Sequence, residues 1–187
     1  MKTERNIQKK WNLSAKNCLA EALITMMQTE RIEDIHIKTL VQKAGVSRMS
    51  YYRYFSSKKE ILTYYMEYIL QEYENTVEKN TNHFFQSYDH ILESLIFFRN
   101  YKDFALCLER SHLSYILMDS LNNYVQKQQG FDTEKAARSY PFYYYAGALY
   151  NIYMQWIKTD ANEPAEKLAT IIYQLTPNTS MVTKQTQ

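Results

Sequence analysis

The chain has 187 residues, 45% of them apolar, which is enough for one or two small domains with a real core; three glycines and three prolines disfavour a turn-rich sheet and favour an all-α fold. The formal net charge is only +2, but residues 1–60 carry twelve lysines and arginines against six acids while the remainder carries ten against fourteen, so a polyanion partner is expected for the first part alone. No apolar run approaches the ~20 residues of a membrane span, no secretory leader is visible at the start, and Cys18 and Cys107 stand far apart without a CxxC, which argues against a membrane protein and for two free thiols in a reducing cytoplasm.

In chain order, residues 1–12 are polar and basic and read as an arm with little fixed structure. Ser14 then caps a first helix to Met27, with Leu19, Leu23, Met26 and Met27 at helical spacing. A second helix covers Ile35 to Ala44, and Gly45 follows where a left-handed cap residue is wanted. Ser47 caps a third helix over Arg48 to Phe55, and Ser56 or Ser57 caps a fourth that runs to about Lys79, with Glu60 near its start. Further helices are expected over Thr81 to Arg99, Lys102 to Arg110, Leu113 to Gln128, Glu134 to Thr159 (bent by Pro141) and from Pro164 to Leu175. Gly130 and Asp132 mark a loop and Thr133 a cap, and the polar segment Thr176 to Gln187 is expected to fray. The total is about nine helices and no internal repeat.

The third helix has the chemistry of a DNA-reading element. A short helix fits the major groove when its outer face carries side chains that reach base edges and phosphates. Arg48 suits bidentate pairing with guanine, Ser50 donates or accepts, and Met49 suits a thymine methyl. Tyr52 and Tyr54 offer hydroxyls to phosphate and Arg53 adds charge, while Val46, Tyr51 and Phe55 face inward. Lys58 brings a cation to a helix N-terminus, where free N–H groups already favour phosphate. An ordinary helical hairpin with surface arginine and tyrosine is the plainer alternative.

The run Ile35-His36-Ile37-Lys38-Thr39-Leu40-Val41-Gln42-Lys43-Ala44-Gly45-Val46-Ser47-Arg48-Met49-Ser50-Tyr51-Tyr52-Arg53-Tyr54-Phe55-Ser56-Ser57-Lys58-Lys59-Glu60-Ile61-Leu62 resembles the DNA-binding domain of the TetR family of bacterial transcriptional regulators. The likeness covers about fifty residues with the first helix. Two departures stand out: His36 occupies the place of a capping Thr or Ser, and Tyr54 that of the commoner His. The resemblance implies a helix-turn-helix domain over residues 1–57 and an effector-binding and dimerisation domain over 58–187. By position it implies that Ser47, Arg48, Met49, Ser50, Tyr52, Arg53 and Tyr54 lie at the DNA, with Thr39 and Lys58 on phosphates.

Beyond residue 60 the likeness is weaker. Ser139 to Leu149, followed by Gln155-Trp156-Ile157-Lys158, resembles the long eighth helix of a Firmicutes-type regulatory domain. The resemblance implies that helices eight and nine pair with those of a second copy. A helix apolar on all sides also needs two buried faces. The expected interface uses Ala148, Ile152, Gln155 and Trp156 from one helix and Leu168, Ile171, Ile172 and Leu175 from the next, and two reading heads would suit a palindromic double-stranded DNA operator.

Fifteen of the eighteen tyrosines follow residue 60. Phe84, Phe85, Phe97, Phe98 and Tyr101, with Phe104, Tyr115, Phe142, Tyr143 and Tyr145, either line a cavity for an aromatic or lipophilic effector or fill a core at helical spacing. Catalysis is not expected, nor any metal or cofactor. His36, His83, His90 and His112 lack ligand spacing, and His83 and His90 read as surface residues. Asp89, Glu93 and Glu109 read as solvated charges, and no glycine-rich phosphate loop occurs. The expected function is a homodimeric DNA-binding repressor released by a small effector. The rivals are a TetR-like coactivator that works through protein contacts without DNA, and a small-molecule carrier, which leaves the basic head unexplained.

Overall fold

The computed structural model describes residues 2–78, 87–128 and 140–176. All secondary structure among them is helical: α1 (Lys2–Met27), α2 (Ile37–Lys43), α3 (Arg48–Tyr54), α4 (Lys58–Tyr73) with a π-helical turn (Glu74–Glu78), α5 (Tyr88–Arg99), α6 (Lys102–Arg110), α7 (Tyr115–Gln128), α8 (Tyr140–Lys158) and α9 (Ala165–Leu175). The chain divides into two compact units, one of Met1–Leu70 with Cys107–Leu117 and one of Gln71–Leu106 with Met118–Gln187. No helix among the described residues is long and apolar enough to cross a membrane.

In the first unit α1, α2 and α3 pack on one another. Leu19, Leu23, Met26 and Met27 from α1 are buried, as are Leu40, Val41, Tyr51, Phe55, Ile61 and Leu62. The turn after α2 follows from Gly45, whose φ of +66° is open to glycine at no steric cost. Its N–H bonds the Gln42 carbonyl at 3.2 Å and the Val46 N–H reaches back to Val41 at 3.0 Å, the paired bonds of a Schellman stop. The Ser47 hydroxyl accepts the Ser50 N–H at 3.0 Å and so opens α3. At the start of α4, Ser57 Oγ accepts from the Glu60 N–H at 3.2 Å, and the Glu60 carboxylate accepts from Ser56 N–H at 2.8 Å and from the Ser56 hydroxyl. These bonds, led by the Ser56 hydroxyl, hold the Glu60 carboxyl below its ordinary range.

The expected N-terminal arm is instead part of α1, and Ser14 lies inside that helix rather than capping it. The physical reason is composition: Lys, Arg, Glu and Gln lose little rotamer freedom in a helix, so a polar run of them extends one readily. His36 caps α2 with its backbone alone, since its side chain makes no capping bond.

In the second unit α5 lies along α9, with the rings of Tyr88 and Tyr173 edge to face at 6.4 Å. Ser87 is extended and its hydroxyl accepts the His90 N–H at 3.2 Å, which caps a helix that starts at Tyr88, and the expected start at Thr81 lies outside the described residues. Buried Tyr73, Tyr124 and Ala146 form a cluster with Val77, Phe97, Phe98 and Leu121 packed against it. The Trp156 indole N–H donates to the Glu163 carbonyl at 2.8 Å across the turn into α9. Pro164 is the residue before α9, one position earlier than expected. The expected loop at Gly130 and Asp132, the cap at Thr133, the start of the eighth helix at Glu134 and the tail beyond Thr176 lie outside the described residues.

Two tyrosines, buried Tyr145 and half-buried Tyr64, make stability pH-dependent. Burial pushes the Tyr145 phenol up to about 12, against a smaller opposing effect from its bond to Thr176. In the first unit, burial likewise raises Tyr64 to about 12. An unfolded tyrosine ionises near ~10, so between about pH 10 and 12 the folded chain holds protons that the unfolded chain has lost, and stability falls as pH rises. Urea midpoints should be flat up to about pH 9 and drop above ~10. A midpoint unchanged through pH 11 would contradict this.

Candidate nucleic-acid interface

α3 is built as a helix with one anchored and one presented side. Tyr51 and Phe55 are buried, and desolvation raises the Tyr51 phenol above its ordinary value. The opposite side carries Arg48, Met49, Tyr52 and Arg53, all exposed, with Met49 at 72% and Tyr52 at 55% of their surface. Val46 is half-buried.

The presented side chains are partly held in place. Arg48 donates to the Tyr52 hydroxyl at 3.3 Å, and its guanidinium carbon stands 5.6 Å from the Tyr52 ring centroid. Tyr52 rests edge to face on buried Tyr51 at 5.1 Å. Arg48 is thus steadied by the residue one turn on, which is steadied by the core. The Ser50 hydroxyl lies 2.9 Å from that of Ser47, so both serines serve the cap. Thr39 is exposed on α2 and Tyr54 is half-buried. The Lys58 ammonium donates to the carbonyls of Ile32, Glu33 and Ile35.

One residue of this head escaped the sequence reading. The Lys16 ammonium sits 4.8 Å from the Tyr64 ring centroid, 5.7 Å from Tyr54 and 5.9 Å from Phe55. Next to it, Tyr64 donates to Asn17 Oδ1 at 2.8 Å. The signal was present: Lys16 stands three and seven residues before Leu19 and Leu23, on the packed face of its helix.

In the second unit, the Tyr73 ring packs at 5.0 Å from Phe98, 5.3 Å from Phe97 and 5.7 Å from Tyr124. Tyr101 joins through Phe97 at 5.3 Å, and Phe104 and Tyr145 are buried. Tyr143 and Tyr115 are about half exposed, and Tyr115 belongs to the other unit. Phe84 and Phe85 lie outside the described residues, as does the side chain of Phe142. The Tyr153 hydroxyl donates to the Phe98 carbonyl at 3.0 Å, and burial raises its pKa strongly.

Two expectations about charge are corrected here. His90 is buried, 7% exposed, with Nε2 3.1 Å from the Tyr73 hydroxyl, which also lies 2.6 Å from Ser94 Oγ. An imidazole with a hydroxyl partner is tolerated inside where a lone one is not. Glu93 is not fully solvated either: its Oε2 is buried with no hydrogen-bond partner among the described residues.

Of the expected interface residues, Trp156, Leu168 and Ile172 are buried within the protomer. Ala148 and Ile152 are half-buried, Gln155 and Ile171 are exposed, and Leu175 exposes 68% of its surface. Among the described residues no group of three His, Cys, Asp or Glu gathers as a metal site would require.

Comparison with known proteins agrees with this architecture. Residues 86–178 match the TetR-type family model described as a transcriptional regulator C-terminal region. No curated protein matches the chain. Among solved structures, a dihydroxyacetone kinase operon activator, DhaS, superposes with a TM-score of 0.59 at 19% identity, covering 87% of this chain and 93% of that one. That likeness shows a shared all-helical fold. Residues 86–178 belong to the TetR-type family of transcriptional regulator C-terminal regions.

Proposed function

We propose that the protein is a sequence-specific DNA-binding regulator that sits on a palindromic operator as a homodimer, represses, and is released when a small aromatic or lipophilic effector enters the second unit. The observation that carries the reading is α3: a serine-capped helix anchored by Tyr51 and Phe55 that presents Arg48, Met49, Tyr52 and Arg53 to solvent in the basic end of the chain. Arg48, Met49 and Ser50 read bases, with Arg48 held by Tyr52, while Thr39, Arg53 and Tyr54 meet phosphate. Ser47 holds the helix start.

Support for the homodimer comes from α8 and α9. Gln155, Ile171 and Leu175 are exposed there beside half-buried Ala148 and Ile152. A leucine left 68% exposed on a helix with a well-packed opposite face suits a second copy. Trp156, Leu168 and Ile172 then back the interface from within. Leu175→Asp should weaken self-association by at least about tenfold in sedimentation equilibrium, since a carboxylate would replace a desolvated methyl group. An unchanged molar mass at micromolar concentration would place the interface elsewhere.

Phe97, Phe98, Tyr101, Phe104 and Tyr145 are the effector-contacting set of this proposal. Support comes from the polar groups among the rings: Tyr73, His90 and Ser94 offer hydrogen bonds inside an otherwise apolar cluster. Selection of duplexes from a random pool tests the whole reading. It should return a two-fold symmetric consensus whose affinity falls steeply with salt. Failure to enrich any duplex at low ionic strength would defeat it.

The name of the DhaS neighbour, an operon activator, favours a second reading in which the regulation is positive. A promoter fusion with and without the chain decides between the signs.

A further inference from the structure

The cation at the head of α4 does a different job from the one its position suggests. Lys58 is the first residue of α4, where the helix dipole is the wrong sign for an ammonium. A lysine there needs an acceptor to offset that repulsion. The resemblance assigns it a phosphate, but the structure gives it the carbonyls of Ile32, Glu33 at 3.2 Å and Ile35 at 2.7 Å. An ammonium has three hydrogens and no more. All three are directed at the segment between α1 and α2, twenty-three to twenty-six residues earlier in the chain.

That segment needs the donor. Ile32 and Ile35 are buried, which draws their backbone inward, and a partly buried carbonyl without a partner is costly. The segment feeds directly into α2 through His36, whose side chain supplies no cap. The Lys58 clamp therefore sets where α2 begins, and α2 packs on α3. Lys59, the next residue, is exposed.

We infer that Lys58 is a positioning residue that holds the entry to α2 against the start of α4, and that Lys59 supplies the phosphate charge at this helix end. The inference rests on the DNA-binding reading for the role of Lys59 only; the clamp stands on the free protein.

The test compares Lys58→Met, Lys58→Arg and Lys59→Met in the full chain, by amide exchange and by salt titration of duplex binding. In Lys58→Met, exchange over residues 32–38 should quicken about tenfold or more while the α3 amides keep their protection. Affinity for selected and random duplex should fall together by several-fold, with the slope of log affinity against log salt unchanged. Lys58→Arg, which keeps several donors, should restore most of the local protection. Lys59→Met should leave exchange alone and shallow the slope by ~1.

The inference is overturned if Lys58→Met shallows the slope by ~1 with exchange at 32–38 unaltered, because Lys58 is then a phosphate contact. Loss of protection spread evenly over α3 also overturns it, since that marks general destabilisation. If the parent chain binds no duplex, the DNA reading and the Lys59 role fail, and the exchange measurement alone still decides the clamp.

Discussion

Tyr73→Ala should cost ~3–5 kcal/mol of stability, the range for truncating a large buried ring. Tyr73 is 1% exposed and meets Phe97, Phe98 and Tyr124 ring to ring. Its hydroxyl meets His90 Nε2 and Ser94 Oγ. Two contributions are therefore lost together, and a second variant separates them. Tyr73→Phe keeps the ring and removes only the hydroxyl, which takes one partner from buried His90; the expected cost is ~1–3 kcal/mol. Urea denaturation followed by near-ultraviolet circular dichroism measures both. If Tyr73→Phe is neutral, the polar trio contributes nothing to folding and the cluster is held by its rings. If Tyr73→Ala is also within ~1 kcal/mol of the parent, the packing described for the second unit is wrong.

How much of this was legible beforehand varies along the chain with the range of the interactions. The head was readable because its signals are local. Gly45 marks a left-handed residue, Ser47 a cap, and Tyr51 and Phe55 fall one turn apart on the inner face. Two other helix ends use the same stop without its signal. His112 at φ +56° and Asp160 at φ +59° occupy the position that Gly45 fills after α2. Leu113 N–H reaches Leu108 at 2.8 Å and Ala161 N–H reaches Trp156 at 3.0 Å, closing the same loop. A histidine and an aspartate in the left-handed region cost more than glycine and leave no mark in a sequence pattern. At Asp160 the carboxylate also meets the Lys102 ammonium, whose hydrogen bond and charge hold its pKa low. That partner lies fifty-eight residues away.

The same distance effect hid His90 and Lys16. A histidine is read as surface unless a partner is known, and the partner of His90 is seventeen residues earlier. Lys16 stacks on rings from two later helices, and only its register with Leu19 hinted at this. The start of the chain misled for a different reason. Polar, charged residues are compatible with both a loose arm and a helix, and residues 2–14 take the second course. The candidate interface shows a related limit. The apolar pattern of α8 and α9 shows which positions avoid water, but not whether their own chain or a second copy covers them. Trp156 is 3% exposed and Leu175 is 68% exposed, although both fit the pattern equally.

Arg48→Ala should cost ~1–3 kcal/mol of operator affinity and relax one base position in each half-site. The argument starts from geometry. Arg48 is the first residue of α3, and the N-terminal turn of a reading helix is the part that reaches base edges. Its guanidinium is held over the Tyr52 ring and bonded to that hydroxyl, so less side-chain entropy is lost when it pairs with guanine. Tyr52→Phe therefore gives a graded companion: the ring stays and the hydroxyl goes, and the loss should be smaller than for Arg48→Ala while falling on the same base position. Titration against the selected operator, against each single-base variant and against random duplex measures the effect. A reader loses affinity for the operator and little for random duplex. A phosphate contact loses both equally and shallows the salt slope by ~1. Equal losses for Arg48→Ala would remove it from base reading and pass that role to Met49 and Ser50. A loss on the operator that Tyr52→Phe does not share would show that the ring alone positions the arginine.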